Sequence, residues 1–276
     1  MNRDTRKKIA QHTITCFNKG YYTYNSLNNS SPIPIQKLHK KAEENIDLII
    51  EESPKTQYNV SNKKYSNPAS ISVVNEPVPD VFIKRQAHSY GVLNFASAYH
   101  PGGGFLNGSI AQEESLCYGS NLYLLQVKYL NEFYNYNKKQ PSKCYSDRMI
   151  YTPYTVFIKD SSYHLLPHPI LANILTCPAV NLRAATNNGE SENKCYDVMK
   201  KRMRKILSVF VNEGNDRIIL GAFGCGVFGN DSKIIACIWN ELLNDEGWKY
   251  QFKEIIFAVY DRGESMYKIF DENIQR

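Results

Sequence analysis

The segment from Leu93 to Tyr123 reads LNFASAYHPGGGFLNGSIAQEESLCYGSNLY. It opens inside a short apolar run, Gly91 to Ala98, that has the length and composition of a buried strand. The strand runs into a cluster of glycines, and a helix is predicted to begin near Ala111. A buried strand that passes through a tight loop into a helix is a unit of α/β folds, so this segment indicates that class.

The rest of the chain extends this alternation of strands and helices. We predict helices at residues 3–19, 35–51 and 193–212, with two more after residues 231 and 260, and strands at residues 70–75, 149–158, 170–180, 217–223 and 254–260. Apolar strands covered on both faces predict a three-layer α/β/α sandwich. Because no internal repeat or clear linker is present, we interpret residues 1–69 as an N-terminal helical extension packed on a core of residues 70–276.

Some details of these elements are specific enough to be tested by a structure. Pro153 is expected to interrupt its strand or place it near a sheet edge. Asn230 or Asp231 is expected to cap the next helix. The apolar stripe of that helix is predicted to consist of Ile234, Ile238 and Leu242. Residues 131–147, which are rich in Tyr, Asn and Lys, are expected to form a surface excursion.

Composition limits the class of protein. The chain has 276 residues, 42% of them hydrophobic, and no stretch near the ~18 apolar residues of a membrane span. Its seven cysteines include no CxxC pair, which argues against a disulfide framework or zinc module and favours a reducing compartment. Without a signal peptide, we expect an intracellular, cytoplasmic protein with no membrane partner. The net charge of +6 fits an anionic ligand, or simply a surface with excess lysine.

The first glycine cluster is followed by adjacent acids. Gly102, Gly103 and Gly104 allow a backbone to approach a ligand closely, and QEE follows after seven residues, at the start of the predicted helix. Adjacent helical residues point about 100° apart, so Glu113 and Glu114 cannot perform the same task. A plain glycine turn followed by acids that complement the helix dipole is the alternative.

A second glycine loop lies in the segment IILGAFGCGVFGN, residues 218–230. It matches GxGxxG between a strand and a helix, which by itself suggests a dinucleotide-binding fold. Only 47 residues follow Gly229, too few for the remaining elements of that fold. Backbone N–H groups of such a loop still suit a phosphate or diphosphate, and Phe228 suits a base or ribose. A tight turn with Phe228 in the core is the alternative.

Other candidate sites are weaker. His164 and His168 are four residues apart, but the prolines around them exclude a regular helix and so a helical metal pair. Cys225 has no nearby histidine to activate it, so we interpret it as a small residue that fits a tight loop. The segment from Lys128 to Lys143 mixes Tyr with Lys, which is compatible with nucleic-acid contact but more typical of a solvated loop.

Taken together, these motifs resemble a known family. GGG-x7-QEE is similar to the signature of poly(ADP-ribose) glycohydrolases, and the longer string LNFASAYHPGGGFLNGSIAQEESL resembles their compact microbial branch. Five more blocks appear in the same order: RKKIAQHTITCFNKGYY, MIYTPYTVFIKD, TCPAVN, LGAFGCGVFGND and IIFAVYD. The resemblance covers about residues 3–262. It implies a macrodomain fold with a mixed central sheet and an N-terminal helical region.

The resemblance also implies an activity and a site. The expected reaction is hydrolysis of ribose–ribose O-glycosidic bonds in poly(ADP-ribose), without metal or other cofactor. Glu114 would be the general acid/base, and Glu113 would hold the hydroxyls of the ribose next to the scissile bond. The substrate-binding residues would be Phe95, Ala96, Gly102, Gly103, Gly104, Gln112, Gly224, Cys225, Gly226, Val227, Phe228 and Gly229. Gln112 would also help to position the acid.

The sequence departs from the family pattern at two adjacent positions, and three functions are compatible with it. Tyr118 and Gly119 stand where family members often carry Arg-Ser, which puts the local support of the acids in question. The alternatives to polymer hydrolysis are removal of mono-ADP-ribose from protein or nucleic acid, and a non-catalytic ADP-ribose reader. A reader needs the loops but not the acids, so the intact QEE disfavours it. We expect a monomer whose ligand is ADP-ribose or its polymer.

Overall fold

A mixed sheet of seven strands forms the centre of the computed structural model, which describes residues 1–26, 29–85 and 88–275. The strands are β1 (Tyr21–Ser26), β2 (Asn29–Pro34), β3 (Asp47–Ile49), β4 (Ser70–Val74), β5 (Gly91–Phe95), β6 (Met149–Lys159), β7 (Leu165–Cys177), β8 (Arg217–Leu220) and β9 (Glu254–Ala258). The sheet order is β3-β6-β7-β5-β8-β9-β4, and β1 pairs with β2 in a separate hairpin. Strands β7, β5, β8, β9 and β4 are parallel, whereas β3, β6 and β7 pair antiparallel.

Helices cover both faces of this sheet. They are α1 (Arg3–Lys19), α2 (Gln36–Asn45), α3 (Val78–Ile83), α4 (Gln112–Gly119), α5 (Leu122–Val127), α6 (Tyr136–Lys138), α7 (Leu182–Asn187), α8 (Glu192–Asn212), α9 (Ser232–Asn240) and α10 (Ser265–Asn273). None of the described helices is long and apolar enough to span a membrane. Short 3-10 or π turns lie at Pro54–Thr56, Phe105–Asn107, Leu130–Asn135, Glu241–Asp245 and Trp248–Gln251.

Strand β9 shows why the fold has three layers. Ile255 and Phe257 point into the apolar core that contains α8 and α9, while Ile256 and Ala258 point into the core that contains α3 and α4. Side chains alternate between the faces of a strand, so a strand that is apolar throughout needs a helical layer on each side. The predicted α/β sandwich and the mixed sheet are confirmed.

Helix α9 begins as predicted, but its buried face differs from the prediction. Asp231 is the N-cap, and its carboxylate accepts hydrogen bonds from the backbone N–H groups of Lys233 (2.8 Å) and Ile234 (3.0 Å). The predicted stripe is wrong at its first position, because Ile234 is exposed while Ile235 is fully buried. Trp239 sets this orientation, since its buried indole N–H donates to the carbonyl of Gly221 at 3.2 Å.

Two predicted helices are shorter than expected. The helix predicted to Glu51 ends at Asn45, because Asp47–Ile49 pairs with β6 and becomes an edge strand of the main sheet. The helix predicted from Ala111 is interrupted after Gly119. Asn121 causes this break: its backbone N–H donates to the carbonyl of Val156 (3.2 Å), and its side-chain oxygen accepts from the N–H of Val156 (2.9 Å).

Two predictions concern strand β6 and the segment before it: the effect of Pro153 on pairing, and the exposure of residues 131–147. Pairing of β6 with β7 shifts register between Thr152 and Thr155, around Pro153, and β6 lies next to the edge strand, as predicted. Residues 131–147 are only in part the expected surface excursion, since Asn131, Glu132, Lys138 and Lys139 are exposed but other side chains are buried. Phe133 and Tyr134 are fully buried and pack with Ile150, because this segment folds into a π turn that covers the end of the sheet. The division of the chain at residue 70 stays a prediction.

The contact between α4 and β6 leads to a stability prediction. A Cβ atom on the buried Gly119 would lie 2.8 Å from the carbonyl oxygen of Lys159, so Gly119→Ala forces a backbone shift. We expect a loss of about 1–3 kcal/mol in the free energy of unfolding, measured by denaturant titration. The exposed Gly263→Ala is the control, since its new methyl would lie 3.6 Å from Oδ1 of Asp261, an ordinary contact. Equal stability of the two variants would contradict the tight packing of α4 on β6.

Candidate active site

The two glycine loops lie at the same edge of the sheet. The first follows β5 and the second follows β8, and these two strands are parallel neighbours. The ring of Phe95 joins the loops: it lies 5.7 Å from the ring of Phe223, and a Cβ atom on Gly221 would lie 3.0 Å from its Cζ. The carboxyl ends of parallel strands are where α/β proteins bind ligands, so this edge is the candidate site.

Gln112 fastens the start of α4 to strand β5. Its side-chain oxygen accepts a hydrogen bond from the N–H of Phe95 (2.9 Å), and its amide nitrogen donates to the carbonyl of Leu93 (2.8 Å). The side chain therefore pairs with β5 as a neighbouring strand would, beyond the point where β8 stops pairing. This geometry supports a positioning role, because both polar ends of the side chain are already used.

Glu113 is held inside the protein by three donors. Oε1 accepts hydrogen bonds from the amides of Asn94 (3.2 Å) and Gln126 (3.0 Å), and Oε2 accepts from the N–H of Ser97 (2.7 Å). The side chain is buried, and burial raises its pKa to about 8, although the three hydrogen bonds act in the opposite direction. Desolvation dominates because a charged carboxylate loses far more hydration than a neutral carboxyl group.

Glu114 meets the glycine loop directly. Its Oε1 accepts a hydrogen bond from the N–H of Gly104 (2.7 Å), while Oε2 is buried and has no partner among the described residues. A Cβ atom on Gly103 would lie 2.5 Å from Oε1 of Glu114, and Gly103 has a φ of +57°, so any other residue would be strained there. The structure thus separates the two acids: both oxygens of Glu113 accept hydrogen bonds from protein donors, whereas one oxygen of Glu114 has no partner among the described residues.

Gln126 is a site residue that the sequence analysis missed. Its oxygen accepts from the N–H of Gly102 (2.8 Å), and its nitrogen donates to Glu113 and to Oγ1 of Thr176 (3.2 Å). It therefore connects the glycine loop to the buried acid. A signal was present, since Gln126 is the single amide in the apolar helix LYLLQV.

Tyr118 and Gly119, the departure from the family pattern, lie behind the acids as expected. The hydroxyl of the fully buried Tyr118 lies within hydrogen-bonding distance of the carbonyls of Ser109 (2.9 Å) and Phe105 (3.2 Å), and so supports the turn that follows the glycines. From the other side, Arg6 donates to the carbonyl of Gly108 at 2.7 Å. The local support of the site is therefore rebuilt around a tyrosine and helix α1.

The second glycine loop presents unpaired backbone donors. The N–H groups of Gly226, Val227 and Phe228 make no hydrogen bond within the described part of the chain, and Val227 is 82% exposed. The side chain of Asn230 holds the base of the loop by donating to the carbonyls of Val180 (2.8 Å) and Gly224 (2.9 Å). Consecutive free N–H groups on a rigid loop form a concave site for an anion.

Aromatic and basic side chains surround this loop. Phe228 is partly buried, with its ring 6.1 Å from that of Tyr145, and Tyr145 lies 5.3 Å from Tyr99. Arg183 lies against Gly229, where an added Cβ atom would be 3.6 Å from its Nε. Sequence reasoning missed Tyr145 and Arg183, because both come from segments far from either glycine loop.

The remaining predicted residues have structural contacts. The N–H of Phe95 is bound by Gln112, and the N–H of Ala96 donates to the carbonyl of Cys177 at 3.1 Å, so neither N–H group is available to a ligand. Burial raises the pKa of the Cys225 thiol to about 12, which agrees with a packing role. Among the described residues, no cluster of His, Cys, Asp or Glu could hold a metal.

The burial of Glu113 predicts a pH dependence of stability. Its pKa of about 8 lies above the ordinary value of 4.5, so between these values the folded protein keeps a proton that the unfolded chain has lost. The free energy of unfolding therefore falls as pH rises from about 4.5 to about 8, and then levels off. We expect the melting temperature of Glu113→Gln, relative to the wild type, to increase over this window. The exposed Glu132→Gln serves as control. A melting-temperature difference between Glu113→Gln and the wild type that does not change with pH would contradict titration of the buried Glu113 in this window.

The chain is similar to known proteins both in sequence and in structure. Residues 10–160 match the family described as microbial-type PARG, catalytic domain. A search of curated proteins found no match. Among solved structures, the poly(ADP-ribose) glycohydrolase (PARG) from Thermomonospora curvata has a TM-score of 0.88 and 31% identity, covering 98% of this chain and 100% of that chain.

Two further structures contain ligands. The Thermomonospora curvata enzyme bound to the inhibitor ADP-HPD has a TM-score of 0.87 and 32% identity, over 98% of this chain and 99% of that chain. The enzyme from Deinococcus radiodurans in complex with ADP-ribose has a TM-score of 0.78 and 29% identity, over 87% of this chain and 98% of that chain. The resemblance found in the sequence is confirmed, and the chain belongs to the microbial-type poly(ADP-ribose) glycohydrolase family.

Proposed function

We propose that Glu114 is the general acid/base of this poly(ADP-ribose) glycohydrolase. The observation that carries the proposal is the unpartnered Oε2 of Glu114, a buried oxygen beside the glycine loop whose sister oxygen is fixed by Gly104. A carboxyl group acts best as a proton donor when one oxygen is held and the other is free to meet the substrate.

The neighbouring groups suit a ribose next to the scissile bond. A Cβ atom on Gly103 would lie 2.5 Å from Oε1 of Glu114, so only glycine lets the loop lie this close to the carboxyl group. Glu113 is fixed by three donors beside the same loop, since a Cβ atom on Gly103 would lie 3.1 Å from its Oε2, and we assign it to the ribose hydroxyls. The acids thus divide their tasks: one holds the sugar and the other transfers the proton.

The reaction then needs only one proton-transfer group. The protonated Glu114 gives its proton to the 2′-oxygen of the departing ribose as the bond from that oxygen to the anomeric carbon breaks. The electron pair leaves with the oxygen, and the sugar acquires oxocarbenium character. The resulting Glu114 carboxylate takes a proton from water, whose oxygen bonds to the anomeric carbon and restores the acid.

The second glycine loop is proposed to bind the diphosphate. The free N–H groups of residues 226–228 form the donors, and the guanidinium of Arg183 lies against Gly229 to add positive charge. Phe228 and Tyr145 would flank the distal ribose or base. Binding of ADP-ribose by the Deinococcus relative and of ADP-HPD by the Thermomonospora relative supports this placement.

The first test concerns the acid. Glu114→Gln is expected to lower the rate of hydrolysis of poly(ADP-ribose) about 100- to 10,000-fold, the range that a positioned proton donor contributes. Its affinity for ADP-ribose, measured by calorimetry, should stay within a few-fold of the wild type. The exposed Glu132→Gln is the control and should retain activity. Normal turnover by Glu114→Gln would show that another residue is the acid.

The second test concerns the diphosphate. Arg183→Gln is expected to weaken ADP-ribose binding about 10-fold, because a charge-assisted contact is lost, and to reduce the salt dependence of that affinity. Lys201→Gln removes an exposed charge on a different helix, α8, and should change neither the affinity for ADP-ribose nor its salt dependence. Unchanged affinity and salt dependence in Arg183→Gln would remove Arg183 from the site.

A further inference from the structure

A groove runs along the edge of the sheet opposite the candidate active site. Two adjoining cavities, of about 400 Å³ and about 230 Å³, share Lys253 as a lining residue. The larger one is lined by residues at or just before the starts of β4, β5, β8 and β9, including Ser70, Tyr90 and Arg217. The smaller one continues past Tyr65 and Phe252. Together they form an extended surface on the side of the molecule that the reaction does not use.

The groove is strongly basic. Arg85, Arg217 and Lys253 line it, and Lys64 lies beside the lining residue Tyr65. Lys63 and Lys249 lie next to the groove, at Tyr250, whose carbonyl accepts a hydrogen bond from the N–H of Tyr65. Against these six cations stand two carboxylates, Asp216 and Glu254, so the local excess is four positive charges out of a net charge of +6 for the chain.

Both carboxylates already have hydrogen-bond or ion-pair partners within the protein. Asp216 pairs with Lys64 (2.8 Å) and Lys253 (3.0 Å), and these lysines hold its pKa well below its usual range despite partial burial. Glu254 accepts from the hydroxyl of Tyr90 at 2.6 Å and lies 3.7 Å from Arg217. Within the described residues, Arg85 and Lys63 have no ion-pair partner, so their charge is available to an external anion, whereas Lys249 donates a hydrogen bond to the side-chain oxygen of Asn244 (2.9 Å).

Aromatic rings alternate with these cations. Lys63 lies 3.8 Å from the ring centre of Tyr250, and Lys249 lies 5.7 Å from it. Lys253 and Lys64 lie 5.4 Å and 5.6 Å from the ring centre of Tyr65. Basic side chains interleaved with partly exposed rings bind polymers that carry both phosphates and stacking bases.

We propose that this groove is a second, non-catalytic binding site for poly(ADP-ribose), which holds a distal part of the chain whose end lies in the active site. The inference rests on the proposed function, because the substrate of that reaction is itself a long polyanion with two phosphates and an adenine in each unit. The four strands whose starts lie at the groove, β4, β5, β8 and β9, have five residues or fewer, roughly 16 Å at about 3.3 Å per residue. One long polymer can therefore reach both ends of these strands.

Occupation of the groove by a distal segment makes the second binding event intramolecular. The gain in affinity then grows with chain length, while a substrate of two units is too short to benefit. Nucleic acid shares the chemistry of phosphates and bases, but it has no segment bound at the catalytic edge and so gains nothing from this tethering.

The test uses the triple variant Lys63→Gln, Lys64→Gln, Lys253→Gln. Its control, Lys8→Gln, Lys37→Gln, Lys201→Gln, removes the same charge from exposed positions elsewhere. With long poly(ADP-ribose), we expect KM of the groove variant to rise about 10-fold, kcat to stay unchanged, and the salt dependence to weaken. With a dimer of ADP-ribose, both variants should match the wild type. Equal KM values on the long polymer would overturn the proposal.

Binding measurements separate this inference from the proposed function. In the Glu114→Gln background, fluorescence anisotropy with labelled long polymer should show weaker binding for the groove variant, whether or not hydrolysis occurs. The single variant Lys63→Glu, at an exposed position, should reproduce the effect if the triple variant is unstable. Binding of single-stranded DNA to the groove with the affinity of the long polymer would instead identify a nucleic-acid site and refute the proposal. Failure of the wild type to cleave the dimer would refute the proposed function alone.

Discussion

The carboxyl group of Glu113 lies inside the protein and accepts hydrogen bonds from Asn94, Gln126 and the backbone of Ser97. These donors come from strand β5, helix α5 and the loop after β5, so one carboxyl group ties three segments to the first turn of α4. A buried acid without partners would cost several kcal/mol, and the donors offset that cost. Because Glu114 is the next residue, the same network fixes where the second acid points.

The glycine loop is shaped around this arrangement. Gly102 donates to Gln126 and Gly104 donates to Glu114, while Gly103 adopts a positive φ between them. The turn that follows is supported by Tyr118 and by Arg6 from α1. Tyr118 and helix α1 therefore help to hold the loop that contacts Glu114, the residue proposed as the acid.

Sequence patterns predicted most of the regular structure, and their errors have a common cause. Helices α1 and α8 and the strands of the parallel sheet follow from local periodicity. The break after Gly119 does not, because it depends on hydrogen bonds between Asn121 and the distant Val156. The buried segment around Phe133 was missed for the same reason: a stretch of Tyr, Asn and Lys looks solvated until a partner surface covers it.

The sequence by itself determined the α/β class, the two glycine loops and the adjacency of Glu113 and Glu114, because these depend on neighbouring residues. It also carried the blocks that place the chain in its family. Only the tertiary structure brings Gln126, Tyr145 and Arg183 to the candidate site, and places Arg217 and Lys253 beside residues from the starts of other strands in a groove at the opposite end of the sheet. Periodicity reports which face of an element is buried but not which distant segment covers it, since chain folding alone creates those contacts.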